Sequence, residues 1–255
     1  MKYLFLVFIL ISMNINAAET QDALRESNDY SDGYSLHDLP FHAGHSDNYR
    51  AGFIADRIEI TNMSTNSTVT YDAQAWFGKT YDRVLLRAEG NVKNGQSQNA
   101  RSELLWSHAI TPFWDSHLGL RYDSGLGINR EWLALGVQGY APYWIYVEAT
   151  SYINEQGRTA FRLELEYDLL ITQRLILQPR IEANAYGKND TAHYLGNGLS
   201  TLETGLRLRY EFIPEFAPYI GIDWDNTFEN SATYAKQRNM NTTNTTLVLG
   251  VHFWF

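Results

Sequence analysis

The chain has 255 residues, of which 44% are hydrophobic and 19% charged, a composition too apolar for a disordered protein. Its formal net charge of −9 gives it no electrostatic reason to bind nucleic acid. The absence of cysteine excludes a disulfide scaffold, a thiolate metal site and a thiol nucleophile.

The first 18 residues have the pattern of an export signal. Lys2 supplies a positive charge, residues 3–13 form an apolar run, and Ala17 and Ala18 provide small side chains for cleavage. The run is too short to cross a bilayer as a helix, which needs about 20 residues. We therefore predict a cleaved signal peptide at 1–18 and export into a Gram-negative cell envelope, which a cysteine-free chain fits better than a eukaryotic secretory route, where small folds usually gain disulfides.

A polar arm is predicted at residues 19–50, and it contains the most specific chemistry in the chain. Three of the seven histidines fall within nine residues of this arm. Imidazole and carboxylate groups are ligands for Cu(II), Zn(II) or Ni(II), and without cysteine the site would use nitrogen and oxygen ligands. The alternative is a solvated linker that happens to contain histidines. The candidate metal ligands are His37, Asp38, His42, His45 and Asp47.

Residues 51–255 alternate between apolar and polar side chains with a period of two, which predicts β-strands. The clearest example is 161–169, where apolar residues alternate strictly with charged ones. Twelve such strands are predicted, at about 53–61, 69–77, 83–92, 101–109, 115–123, 131–139, 143–152, 161–169, 174–186, 202–212, 217–226 and 246–255.

The connections between these strands alternate in length. Short turns near 78–82, 110–114, 140–142, 170–173 and 213–216 alternate with longer connections near 62–68, 93–100, 124–130, 153–159, 187–200 and 227–245. This alternation is typical of an antiparallel up-and-down transmembrane β-barrel in the outer membrane.

A soluble β-sandwich would show the same alternation within its strands. Three features favour the barrel: aromatic residues cluster at the short-turn ends, the apolar face of the last five strands carries no charge, and the chain ends on Phe255. We therefore predict that one face of each strand contacts the lipid bilayer.

Charged side chains are predicted to fill the lumen by pairing across strands. Nine arginines would face twelve acids, so an open porin channel is not expected, and the residual negative charge would favour cations over anions if any ion passes. The predicted cations are Arg83, Arg87, Arg101, Arg121, Arg162, Arg174, Arg180, Arg207 and Arg209. The predicted acids are Glu89, Glu103, Asp123, Glu148, Glu164, Glu166, Asp168, Glu182, Glu203, Glu211, Asp223 and Asp225.

Pro179 lies inside a predicted strand, where it cannot donate a hydrogen bond, so a bulge or a local break is expected there.

No catalytic arrangement is found: neighbouring Ser and His residues, as in Ser107-His108, would point to opposite faces of a strand. We expect a non-enzymatic protein.

The sequence resembles the copper resistance protein B family from about residue 50 to the end. The motifs that carry the resemblance are FWD at 113–115, LALGVQG at 133–139, APYW at 141–144, EYDLL at 166–170, TQRLILQPR at 172–180, GLRLRYE at 205–211, EFAPYIG at 215–221 and FWF at 253–255.

The resemblance implies an outer-membrane barrel for copper tolerance, which binds copper ions or assists their export from the periplasm. Copper would be a bound ligand rather than a catalytic cofactor, and a periplasmic multicopper oxidase of the same system is a candidate partner. Family members commonly carry a Met-rich N-terminal segment, whereas this chain has only four methionines. Fewer soft thioether ligands make Cu(I) a poorer fit, and the arm histidines would suit Cu(II).

A competing interpretation is a structural or passive outer-membrane barrel without a metal role. In that case the ion pairs of the lumen would serve only to hold the barrel shut.

Overall fold

The computed structural model describes residues 48–61, 67–125, 127–191 and 193–255. The predicted signal peptide at 1–18 and all but the last three residues of the predicted arm at 19–50 lie outside the described residues. Within the described ranges, no helix has the length and apolar character needed to cross a bilayer.

The described chain consists almost entirely of antiparallel β-strands. They are β1 (Arg50–Thr61), β2 (Thr68–Gly78), β3 (Asp82–Lys93), β4 (Gln96–Thr111), β5 (Trp114–Gly125), β6 (Arg130–Ala141), β7 (Ile145–Ile153), β8 (Thr159–Glu166), β9 (Leu169–Leu170), β10 (Leu175–Tyr186), β11 (Gly198–Tyr210), β12 (Phe216–Thr227) and β13 (Thr243–Trp254). A 3₁₀ turn at Pro142–Trp144 precedes β7, and one α-helix, α1 (Glu229–Gln237), lies between β12 and β13.

The sheet closes on itself because β1 pairs with both β2 and β13. Ile58 of β1, for example, is opposite Tyr71 of β2 and Val251 of β13. The short β9 pairs with β10, as β8 does, so β8 and β9 are two parts of one barrel strand. The predicted closed barrel of twelve antiparallel strands is confirmed, and closure leaves no unpaired edge in the membrane.

Pro179 in β10 coincides with a local break, although the break lies in the neighbouring strand. Residues 167 and 168 separate β8 from β9, and Tyr167 would be the partner of Pro179. The Tyr167 N–H still donates to the Pro179 carbonyl at 3.2 Å, but proline has no N–H to return. The register is the same on both sides of the break, with Arg180 opposite Glu166 and Leu177 opposite Leu169, so no bulge forms.

The two faces of the barrel wall differ as the alternation predicts. Large apolar side chains such as Leu104, Leu120 and Leu135 are more than half exposed on the outer face, where lipid would cover them. The buried apolar cluster lies inside the barrel and includes Leu85, Leu105, Trp132, Ala134, Tyr152 and Ala160.

One rim carries only short turns, at 79–81, 112–113, 142–144, 171–174 and 211–215. The opposite rim carries the three longest connections, at 62–67, 187–197 and 228–242, as predicted, but those at 126–129 and 154–158 are no longer than the longest turns of the first rim. The connection expected at 93–100 is a two-residue turn, because β3 ends at Lys93 and β4 begins at Gln96. Asn94 and Gly95 both have positive φ, at 51° and 76°, the geometry that joins two twisted strands tightly. In outer-membrane barrels the short-turn rim faces the periplasm.

Candidate functional site

The five predicted metal ligands, His37, Asp38, His42, His45 and Asp47, lie outside the described residues, so their arrangement stays a prediction. Within the described ranges, no group of three or more His, Asp or Glu side chains has the geometry to hold a metal ion.

The two lumen histidines, His117 and His252, do not lie in a cluster of metal ligands within the described part of the chain. Nε2 of His117 lies 2.8 Å from the Thr150 hydroxyl, and its Nδ1 is buried without a hydrogen-bond partner in the described part of the chain. Nδ1 of His252 lies 3.9 Å from a carboxylate oxygen of Asp56, beyond hydrogen-bond range. Neither histidine therefore has the set of ligands that a transition metal requires.

Charged side chains fill the centre of the lumen and pair across it. Arg87 on β3 donates to Glu148 on β7 at 2.7 Å. Arg162 on β8 donates to Glu89, which is also on β3, at 3.3 Å. Because β3 and β8 lie on nearly opposite sides of a twelve-strand ring, these bonds cross the interior rather than follow the wall.

Arg162 is the most connected of these cations. Besides Glu89, its guanidinium lies 2.6 Å from Glu164, 2.9 Å from Glu182 and 3.4 Å from Glu148. The side chain is only 7% exposed, so each carboxylate offsets part of the large cost of burying the charge. A network of this kind fixes the relative positions of four strands.

Besides Asp56 and Asp72, which also line the lumen, sequence reasoning missed two buried lumen charges, Arg57 and Glu59 in β1. A register shift in the pairing of β1 with β2, between Ala55 and Arg57, interrupts the strict alternation of this strand. Both side chains are buried inside the barrel, and Arg57 donates to Asp72 at 2.7 Å. Arg57 and Glu59 are two charges separated by one residue, and this spacing is the sequence signal that could have placed them on the lumen face.

One predicted lumen cation does not belong to a strand. Arg174 lies in the exposed turn at 171–174 rather than on the inward face of β10, which begins one residue later. Its backbone carbonyl accepts a hydrogen bond from the Glu211 N–H at 2.8 Å.

Two cavities occupy the lumen on either side of this charged layer. The larger, of about 530 Å³, lies toward the short-turn rim, where Trp144 and Trp254 contribute to its wall. The smaller, of about 330 Å³, lies toward the opposite rim beside Gly127 and His193. Glu89 and Arg101 line both cavities, so only one layer of side chains separates them.

The larger cavity is predominantly acidic. Its lining includes eight carboxylates and four guanidinium groups. Because low-dielectric walls focus this charge, the cavity would attract cations and repel anions.

Comparisons with known proteins match one family over nearly the whole barrel. A model of the family described as Copper resistance protein B precursor (CopB) matches residues 49–255. The Copper resistance protein B homolog of Pseudomonas syringae pv. tomato (strain ATCC BAA-871 / DC3000) is 43% identical over 214 residues, which cover 84% of this chain and 73% of that protein. Copper resistance protein B of Escherichia coli is 37% identical over 217 residues, covering 85% and 73% respectively.

Among solved structures, the NanC porin is similar in fold. It superposes with a TM-score of 0.53 at 13% identity and covers 80% of this chain and 99% of its own. At that identity the likeness shows the β-barrel fold and nothing about function. Together with the family match, it shows that this chain is an outer-membrane β-barrel that belongs to the copper resistance protein B family.

Proposed function

We propose that this protein binds copper ions on the periplasmic side of the outer membrane and assists their export. The observation that carries the proposal is the family match over residues 49–255, with copper resistance proteins at 43% and 37% identity. Membership in this family supports a role in copper resistance, and the binding step is our proposal.

Copper capture is assigned to the polar arm, through His37, Asp38, His42, His45 and Asp47. These side chains offer imidazole nitrogen and carboxylate oxygen, which suit Cu(II) better than Cu(I). The arm precedes β1, whose first residue, Arg50, pairs with Gly78 at the short-turn rim. The acidic cavity lies toward the same rim, so its charge would favour a copper cation over competing anions.

We further propose that the role is non-enzymatic and that copper is cargo rather than a cofactor. Any oxidation of the bound copper would then need a second protein. A periplasmic multicopper oxidase of the same system is the partner that fits this chemistry.

Titration of the full-length mature protein with Cu(II) in detergent micelles tests the capture step. Replacing His37, His42 and His45 together with alanine should abolish the tightest binding event, because the imidazole ligands are gone. The matched control replaces Ser31, Ser35 and Ser46 with alanine on the same arm and should leave that event intact. Equal affinity in the two triple variants would refute copper capture by the arm.

A structural or passive barrel is the second candidate function, and the ion pairs that fill the lumen favour it. Deletion of the gene discriminates between the two. Lower copper tolerance in the deletion strain supports the copper role. Unchanged tolerance together with altered envelope permeability supports the passive barrel.

A further inference from the structure

We propose that a single layer of ion pairs closes the barrel lumen and that the barrel conducts cations when this layer opens. We call this layer the ionic septum and define it as Arg87, Glu89, Arg101, Glu148 and Arg162. The inference concerns the passage through the barrel and does not depend on copper binding by the arm.

The septum is thin. The cavities of about 530 Å³ and about 330 Å³ lie on either side of it, and Glu89 and Arg101 line both. The guanidinium of Arg101 lies 3.1 Å from the Glu89 carboxylate, so these two side chains form the shared boundary. Displacing one layer of side chains would therefore join the two cavities.

The septum consists of side chains that cross the interior, not of backbone. Arg162 reaches Glu89 at 3.3 Å and Arg87 reaches Glu148 at 2.7 Å, each from a different part of the wall. Opening needs rotation of these side chains and leaves the hydrogen bonds between strands intact. Side-chain rotations of this kind are fast compared with rearrangements of a barrel wall.

Arg162 has the partners that such a rotation requires. If it leaves Glu89, it retains Glu164 on its own strand at 2.6 Å and Glu182 on the neighbouring β10 at 2.9 Å. The buried guanidinium is therefore never left without a carboxylate, which would be very costly. Closed and open positions of Arg162 thus differ by the loss of its cross-lumen partner alone.

The charge around the passage decides which ions would cross. Eight carboxylates and four guanidinium groups line the larger cavity. This excess of negative charge favours cations, as rings of acidic side chains do in cation channels.

Conductance of the purified full-length protein in planar lipid bilayers, in KCl without copper, tests the proposal. We expect the native protein to remain mostly closed and Arg162→Gln to conduct several-fold more, with a cation-selective reversal potential in a KCl gradient. Glutamine is uncharged and shorter than arginine, so it cannot hold Glu89 across the lumen by charge. The matched control is Arg83→Gln, which removes the same charge from the lumen face of β3 outside the septum and should conduct like the native protein.

Glu89→Gln provides a second variant in case Arg162→Gln does not fold, and it should also raise conductance. Folding of each variant is checked by heat-modifiable mobility on gels. The septum is refuted if a folded Arg162→Gln or Glu89→Gln barrel conducts like the native protein, or if Arg83→Gln raises conductance equally. An anion-selective reversal potential would overturn the predicted ion preference.

Discussion

Arg207 on β11 donates a hydrogen bond of 2.7 Å to Glu59 on β1, although 148 residues separate them in the chain. Tyr219 on β12 donates to the same carboxylate oxygen at 3.0 Å. Glu59 therefore links three strands around the seam where the last strand meets the first. The Arg207 and Glu59 side chains are only 2% exposed, so the ion pair is desolvated. Removing either charge would therefore leave the other one buried without its closest partner.

The Glu59→Gln variant should lower the free energy of unfolding by about 1–3 kcal/mol, because Arg207 loses its fully buried partner and keeps only the partly exposed Asp223 at 3.0 Å. Urea denaturation of the barrel in lipid vesicles measures this change. Replacing both residues, as Glu59→Gln with Arg207→Met, should recover much of the loss. A double variant as unstable as the sum of the two single variants would contradict the coupling.

The Pro179→Val variant should raise the free energy of unfolding by about 1 kcal/mol, because the new N–H could donate to the Tyr167 carbonyl in the gap between β8 and β9. The same urea denaturation detects it. Leu177→Val in the same strand adds no backbone donor and serves as the control. A stability gain that is the same in both variants would show that the missing hydrogen bond is not the cause of the break.

Leu135→Arg should destabilise the barrel by about 2–4 kcal/mol, because Leu135 lies midway along β6 on the lipid-facing side. Ile110→Arg is the matched control near the end of β4, where the cost should fall to about 0–1 kcal/mol. Equal costs at the two positions would contradict a membrane-spanning orientation of these strands. The measurement is denaturation in vesicles at constant lipid composition.

His193 should make the connection at 187–197 sensitive to acid. Arg130 donates to its Nδ1 at 2.5 Å, and its Nε2 donates to the Ile128 carbonyl at 2.7 Å, an arrangement that requires the neutral ring. Burial lowers the pKa of His193 and the Arg130 guanidinium acts in the same direction, while the hydrogen bond to the Ile128 carbonyl acts against them.

Because the pKa of a free histidine is about 6.5, the contribution of His193 is complete above that pH and is lost as the pH falls toward its lowered value. Backbone hydrogen exchange of 187–197, corrected for intrinsic rates, should therefore increase between about pH 7.5 and about pH 5. The increase should disappear in His193→Gln, which can still donate and accept hydrogen bonds. A pH dependence that persists in this variant would assign the effect to another group.

The candidate site was predictable only in part. Arg87, Glu148 and Arg162 were all expected in the lumen, because a charge at every second position of an apolar strand has only one face to occupy. Their partners could not be assigned from the sequence. Pairing between β3 and β8 depends on the tilt and stagger with which twelve strands close, which are properties of the whole ring.

Errors in the sequence prediction have local causes. The connection at 93–100 was expected to be long because its residues are polar, yet Asn94 and Gly95 tolerate positive φ and allow a two-residue turn. Arg57 and Glu59 were missed because a register shift near Ala55 breaks the period of two.

Strand number, lipid-facing side and antiparallel order follow from the sequence by itself, since each depends on alternation and turn residues within a few positions of the chain. The tertiary structure alone decided that Glu89 and Arg101 separate two cavities and that Glu59 joins the seam to Arg207. These contacts connect residues far apart in sequence, and no local pattern encodes which side chains meet when a sheet closes into a ring.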